Sequence, residues 1–138
     1  MCKFIIFSSF LFISLLFGCK DDADPMVSCS KNWTGSYDGE VTYADQSFPF
    51  GTPATGSVTV SASTGQLTVL VKVPDFNKSA HVKGECINKD SFSGTSTSGD
   101  DVLYMWHSND GAITGRLDHY SYSNGTRYIQ YKIFFTVY

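Results

Sequence analysis

After about residue 28 the chain alternates apolar and polar positions with the period of two expected of a strand, and no stretch carries the 3.6-residue period of a helix. From Trp33 to Tyr43, one face is Trp33, Gly35, Tyr37, Gly39, Val41 and Tyr43, and the other is Thr34, Ser36, Asp38, Glu40 and Thr42. That pattern predicts a strand buried on one face and wet on the other. Gly56 to Ser61 and Gln66 to Val73 follow as a hairpin about Ser63-Thr64-Gly65, with Leu67, Val69, Val71 and Val73 facing inward. Pro74-Asp75 ends the second arm, because proline has no N–H to give a ladder. Further strands are expected over Ala80 to Ile87, Ser91 to Thr95, Val102 to His107 and Ala112 to Tyr120. Asn109-Asp110-Gly111 and Asn124-Gly125 supply the positive φ that tight hairpin turns demand. Thr126 to Tyr138 is the longest strand, with Ile129, Tyr131, Ile133, Phe135 and Val137 on one face, whereas Ala44 to Thr55, polar and proline-containing, reads as a loop.

About eight short strands with local links predict an all-β, antiparallel up-and-down meander. Local links favour a barrel, which closes its own edges, over a two-sheet sandwich with long crossings.

The first residues follow a different pattern. Lys3 precedes an apolar run from Phe4 to Phe17 broken only by Ser8, Ser9 and Ser14, and Gly18-Cys19 ends it. A basic start, an apolar stretch of this length and a small residue before a cut describe a secretory signal peptide, too short for a membrane span. Leu16-Phe17-Gly18-Cys19 resembles the lipobox of bacterial lipoproteins. The resemblance implies cleavage after residue 18 and acylation of Cys19, with several acyl chains giving a firm membrane anchor. The acidic Lys20-Asp21-Asp22-Ala23-Asp24 that follows resembles the export signal of surface-exposed lipoproteins in Bacteroidota-type bacteria. It implies an outer-membrane, lipid-anchored protein that faces the medium. The expected organisation is a signal peptide over 1–18, an acidic tether over 19–28 and one β-domain over 29–138.

Composition narrows the partners. The 138-residue chain carries a formal charge of only −3. Lysines and arginines are scattered singly, with no basic stripe for nucleic acid. A folded part of about 110 residues buries a modest core and gains from a covalent staple. Once Cys2 has left with the signal and Cys19 is acylated, Cys29 and Cys86 remain. Two cysteines in an exported domain are expected to pair, and that loop closure stabilises by roughly 4 kcal/mol.

Trp33-Thr34-Gly35-Ser36-Tyr37 at the head of a meander is similar to small calycin barrels of the lipocalin and avidin type. That resemblance implies a small-ligand cavity in the barrel mouth, with Arg127 as the basic residue packed on Trp33. Val102-Leu103-Tyr104-Met105-Trp106 is apolar on both faces, so one of its faces must look away from a thin core. The candidate ligand contacts are therefore Trp33, Tyr37, Tyr104 and Trp106. The ligand would be a small apolar molecule or a carbohydrate, with a role as an accessory subunit of an outer-membrane complex as the alternative.

Catalytic chemistry has weaker signals. His107 and His119 flank one hairpin, and Asp118 adjoins His119, but no metal-ligand spacing is present. Asp100-Asp101 and Asn109-Asp110-Gly111 are hard-oxygen candidates for calcium that turn chemistry also explains. A glycosidase-type hydrolase would need two or more of Asp38, Glu40, Glu85, Asp118 and His119 to converge in a cleft. A non-catalytic binding domain without a cofactor is the expectation.

Overall fold

The computed structural model describes residues 33–63 and 66–138. Its strands are β1 (Gly35–Asp45), β2 (Thr52–Ser63), β3 (Gln66–Val73), β4 (Lys78–Asn88), β5 (Ser91–Ser96), β6 (Asp101–His107), β7 (Ile113–Ser123) and β8 (Thr126–Val137), with a short 3-10 turn at Pro74–Phe76. Each strand pairs antiparallel with the next, and β8 returns to β1, closing an eight-stranded up-and-down barrel. The barrel is consistent with a calycin-like fold. The signal peptide, Cys19, the tether and Cys29 lie outside the described residues.

Strand boundaries differ from the sequence expectation mainly around residues 44–55. β1 continues through Ala44 to Asp45 and β2 begins at Thr52, so the loop shrinks to residues 46–51. Pro53 sits inside β2 opposite Thr42. Two residues on, the Thr55 amide points away from β1 and meets the Asp75 carboxylate (3.3 Å). The nitrogen of Pro53 faces the same side, and β2 is paired with β3 only from Ser57 onward. The missing N–H therefore costs no ladder bond. At the β7–β8 turn, Asn124 and Gly125 both adopt positive φ (50° and 75°), the geometry of a twist-matched two-residue hairpin.

Inward residues fill the barrel. Val58, Val60, Leu67, Val69, Val71, Val82, Phe92, Leu103, Met105, Leu117 and Ile133 are all buried. Burying each such aliphatic or aromatic side chain contributes roughly 1.5–3 kcal/mol before conformational entropy is subtracted. One end, which holds the start of β1, the β4–β5 turn and the end of β6, is closed by Trp33. Its Nε1–H donates to the Lys89 carbonyl (3.2 Å), and its carbonyl accepts from the Tyr37 hydroxyl (3.1 Å). The opposite end is closed by rings: Tyr43 stacks on Phe76 (4.2 Å) and leans on Tyr131 (5.6 Å).

Candidate functional site

β6 resolves the question its two apolar faces raised. Leu103 and Met105 point inward and are fully buried, while Tyr104 and Trp106 point out from the wall, 37% and 50% exposed. The sheet register extends each into a row. Tyr104 lies opposite Arg116, Arg116 opposite Phe134, and Phe134 opposite Thr42. Beside it run Trp106, Thr114, Thr136 and Glu40. The two rows bound an outer-wall groove of about 340 Å³ lined by Glu40, Thr42, Trp106, Thr114, Arg116, Phe134 and Thr136.

Arg116 is fixed from below. Its Nη2 lies 2.8 Å from Oδ2 of Asp118, which is only 2% exposed although it stands on the outer wall. The guanidinium also lies 5.8 Å from the Tyr104 ring centre, within cation–π range. The other two atoms of this pair, Arg116 Nε and Asp118 Oδ1, are buried without partners. One is a donor and the other an acceptor, so they are the unmade second arm of an Arg–carboxylate fork.

The four expected ligand contacts do not come together. Trp33 is wholly buried and offers no face to a ligand, and Tyr37 is bonded to it. Tyr104 and Trp106 stand on the outside. Arg127 corrects the calycin expectation: it packs over Tyr120 (3.8 Å) and donates to the Gly99 carbonyl, at the end of the barrel away from Trp33. The ring beside Trp33 is that of His107, edge-on at 5.7 Å. The 46–51 loop lies against β8 rather than β6. Gln46 and Pro49 line a separate groove with Ile129 and Gln130 of β8. Cys86 packs against the core and is not a free thiol.

Asp38 and Glu40 share an outer-wall groove of about 520 Å³, and the other catalytic candidates are dispersed. His107 lies opposite Ile113 at the Trp33 end, and His119 opposite Asp101 at the other. Asp100 and Asn109 are separated in the same way. Asp38 and Glu40 are on β1 and Glu85 on β4, with β2 and β3 between them. Among the described residues no three His, Cys, Asp or Glu side chains gather as metal ligands.

The ring-closed end has its own electrostatics. His119 Nδ1 lies 2.7 Å from Asp101 Oδ1, its ring stacks on Tyr131 (4.4 Å), and Lys78 Nζ lies 4.7 Å from the Tyr131 ring centre. The Tyr43 hydroxyl donates to Asp45 (3.0 Å). Burial pushes the Tyr43 hydroxyl up to about 12, with the bond to Asp45 and its charge adding to the effect. Burial also pushes Tyr131 up to about 12, with the charge of Asp101 and the proximity of Tyr43 adding to it. A tyrosine whose folded value is raised stabilises the fold fully below its unfolded value and loses that contribution as pH rises through the folded value. The melting temperature is therefore expected to hold up to about pH 9 and fall between about pH 10 and 12. Tyr131→Phe should flatten that fall in a pH series followed by circular dichroism, and an unchanged slope would remove Tyr131 as its cause.

Sequence reasoning missed Arg116, Phe134 and the threonine floor. Phe134 had a readable signal, since it is the large apolar side chain on the polar face of the last strand. Arg116 had none, because only the register places it between Tyr104 and Phe134. Comparison with protein-family models, with curated proteins and with solved structures finds no match to this chain.

Proposed function

We propose that this chain is a lipid-anchored lipoprotein of the outer-membrane surface whose barrel is a non-catalytic binding module, and that its ligand sits on the outer wall around Trp106. The observation that carries the reading is the groove itself, two exposed rings flanking a guanidinium that a buried carboxylate holds in place. A small site of this kind is expected to combine apolar walls with a few fixed polar groups. The barrel interior supports the same reading from the other side, because buried apolar side chains such as Phe92, Leu103 and Met105 occupy it. Cys19 carries the lipid in this proposal, residues 19–28 form the tether, and a Cys29–Cys86 disulfide staples the domain.

The test is a ligand-detected binding screen of metabolites and oligosaccharides against the wild type and Trp106→Ala. A binder that loses affinity at least tenfold in the variant, at an unchanged melting temperature, is the expected result. Binders indifferent to Trp106 would move the site elsewhere. Metabolic labelling with a fatty-acid analogue, abolished by Cys19→Ser, tests the anchor.

A partner-protein role is favoured by a different observation. At the end away from Trp33, Phe50 is fully exposed and Phe48 and Tyr122 are 45% and 61% exposed, more apolar surface than a free loop needs. Under that reading Phe50→Ser abolishes association with an outer-membrane complex in crosslinked cells, and Trp106→Ala does not.

A further inference from the structure

We infer that the Trp106 groove takes a neutral sugar ring, with Trp106 as the stacking face, Arg116 as donor and Glu40 as acceptor. This rests on the reading of the groove as the binding site and adds the ligand's chemical class.

Charge excludes one class of ligand. The groove holds one guanidinium and one free carboxylate. Arg116 is already neutralised by Asp118 at 2.8 Å. Glu40 lines the groove and makes no ion pair among the described residues. The lining is therefore net negative around Glu40, and a uronate, sulfate or phosphate brought there meets that charge, because the next cation of this face, Lys132, stands beyond Arg116 opposite Asp118 and outside the lining.

Desolvation excludes a second class. A purely apolar ligand would cover Glu40, Arg116 and the hydroxyls of Thr42, Thr114 and Thr136 and return no hydrogen bonds. A sugar satisfies both halves of the groove. Its C–H face lies on the exposed indole, and its hydroxyls donate to Glu40, accept from Arg116 and exchange either role with the threonines. Phe134 stands on β8, two strands from Trp106 on β6, about 10 Å away at normal strand spacing. A second ring of the same chain reaches toward it. The groove volume is near the lower end of small-ligand sites, which suits one or two rings.

Asp118 is a positioning residue in this arrangement. It touches no ligand, cancels the charge of Arg116 and holds the guanidinium in the groove wall.

The experiment uses the full-length lipidated protein in a detergent without a sugar headgroup. Tryptophan emission and calorimetry follow titration with neutral oligosaccharides, a uronate oligomer and an apolar dye. At least one neutral oligosaccharide is expected to bind and perturb the emission, with the uronate oligomer silent. Trp106→Ala should weaken the neutral ligand about a hundredfold and Glu40→Gln about tenfold, without changing the melting temperature. Asp118→Asn should shift selectivity, with neutral binding falling and uronate binding appearing as the groove loses a negative charge. A fall in neutral binding with the uronate still silent would make Asp118 merely structural. Tighter binding of uronate than of neutral sugar by the wild type, or of the dye alone in a Trp106-dependent way, overturns the sugar class and leaves the groove reading standing. Failure of every probe, or binding insensitive to Trp106→Ala, overturns both.

Discussion

Gly84→Val should prevent the barrel from closing and leave the protein unfolded or insoluble. Gly84 of β4 lies directly opposite Gly94 of β5, and a Cβ at Gly84 would sit 2.1 Å from the Ser93 carbonyl oxygen and 2.4 Å from the Gly94 Cα. Both obstacles are backbone, so no side chain can turn aside to make room. The two strands would have to part, losing ladder bonds next to the register shift between Cys86 and Asn88. The register also shows what the missing side chains allow. Leu67, Gly84, Gly94 and Leu103 form one row across four strands, and the two buried leucines flank the two glycines. A small barrel fills its taper by alternating large and small residues in this way. The expected cost exceeds about 4–5 kcal/mol, the range reserved for mutations that break a core or a backbone contact. Lys83→Val, one residue away on the outer face, is the control and should stay within about 0.5 kcal/mol. Soluble yield and far-ultraviolet circular dichroism read both variants, and a folded Gly84→Val protein would show that β4 and β5 can separate at no great cost.

The same glycines mark what the sequence could reveal. The period-two pattern was enough to find all eight strands, their order and the up-and-down connection, because each strand buries one face and each link is short. It could not show which side of β2 lacks a neighbour, and so Pro53 read as loop. Nor could it show that Trp33 leaves the alternation to cover the end of the barrel. In sequence it continues the inward face of β1 by two residues, and only its bond to Lys89, far along the chain, reveals its place. Tyr104 and Trp106 were legible as a surplus of apolar side chains on one strand. Their grouping with the rest of the site was not, because the groove is a product of register: Arg116 and Phe134 meet across the β7–β8 hairpin, and Glu40 joins them only when β8 closes on β1.

Trp33→Ala tests the closure of that end, with an expected loss of about 3–5 kcal/mol. The indole is wholly buried, donates to the Lys89 carbonyl and meets His107 edge-on, and its own carbonyl anchors Tyr37. Truncation removes a large ring from a packed end and leaves the Lys89 carbonyl without its donor. Against a net stability of about 5–15 kcal/mol for a domain of this kind, that is a large share, and at the low end of the range it leaves much of the population unfolded. Trp33→Phe separates the two contributions, since it keeps most of the ring and loses the N–H, and about 1 kcal/mol of the total should follow the hydrogen bond alone. Urea midpoints give both values. Hydrogen exchange adds location, because loss of the plug should expose the His107 amide, which donates to the Asp90 carbonyl at 2.9 Å beside the indole. An alanine variant that loses less than about 1 kcal/mol, with that amide still protected, would mean that the β4–β5 turn closes the barrel without the indole.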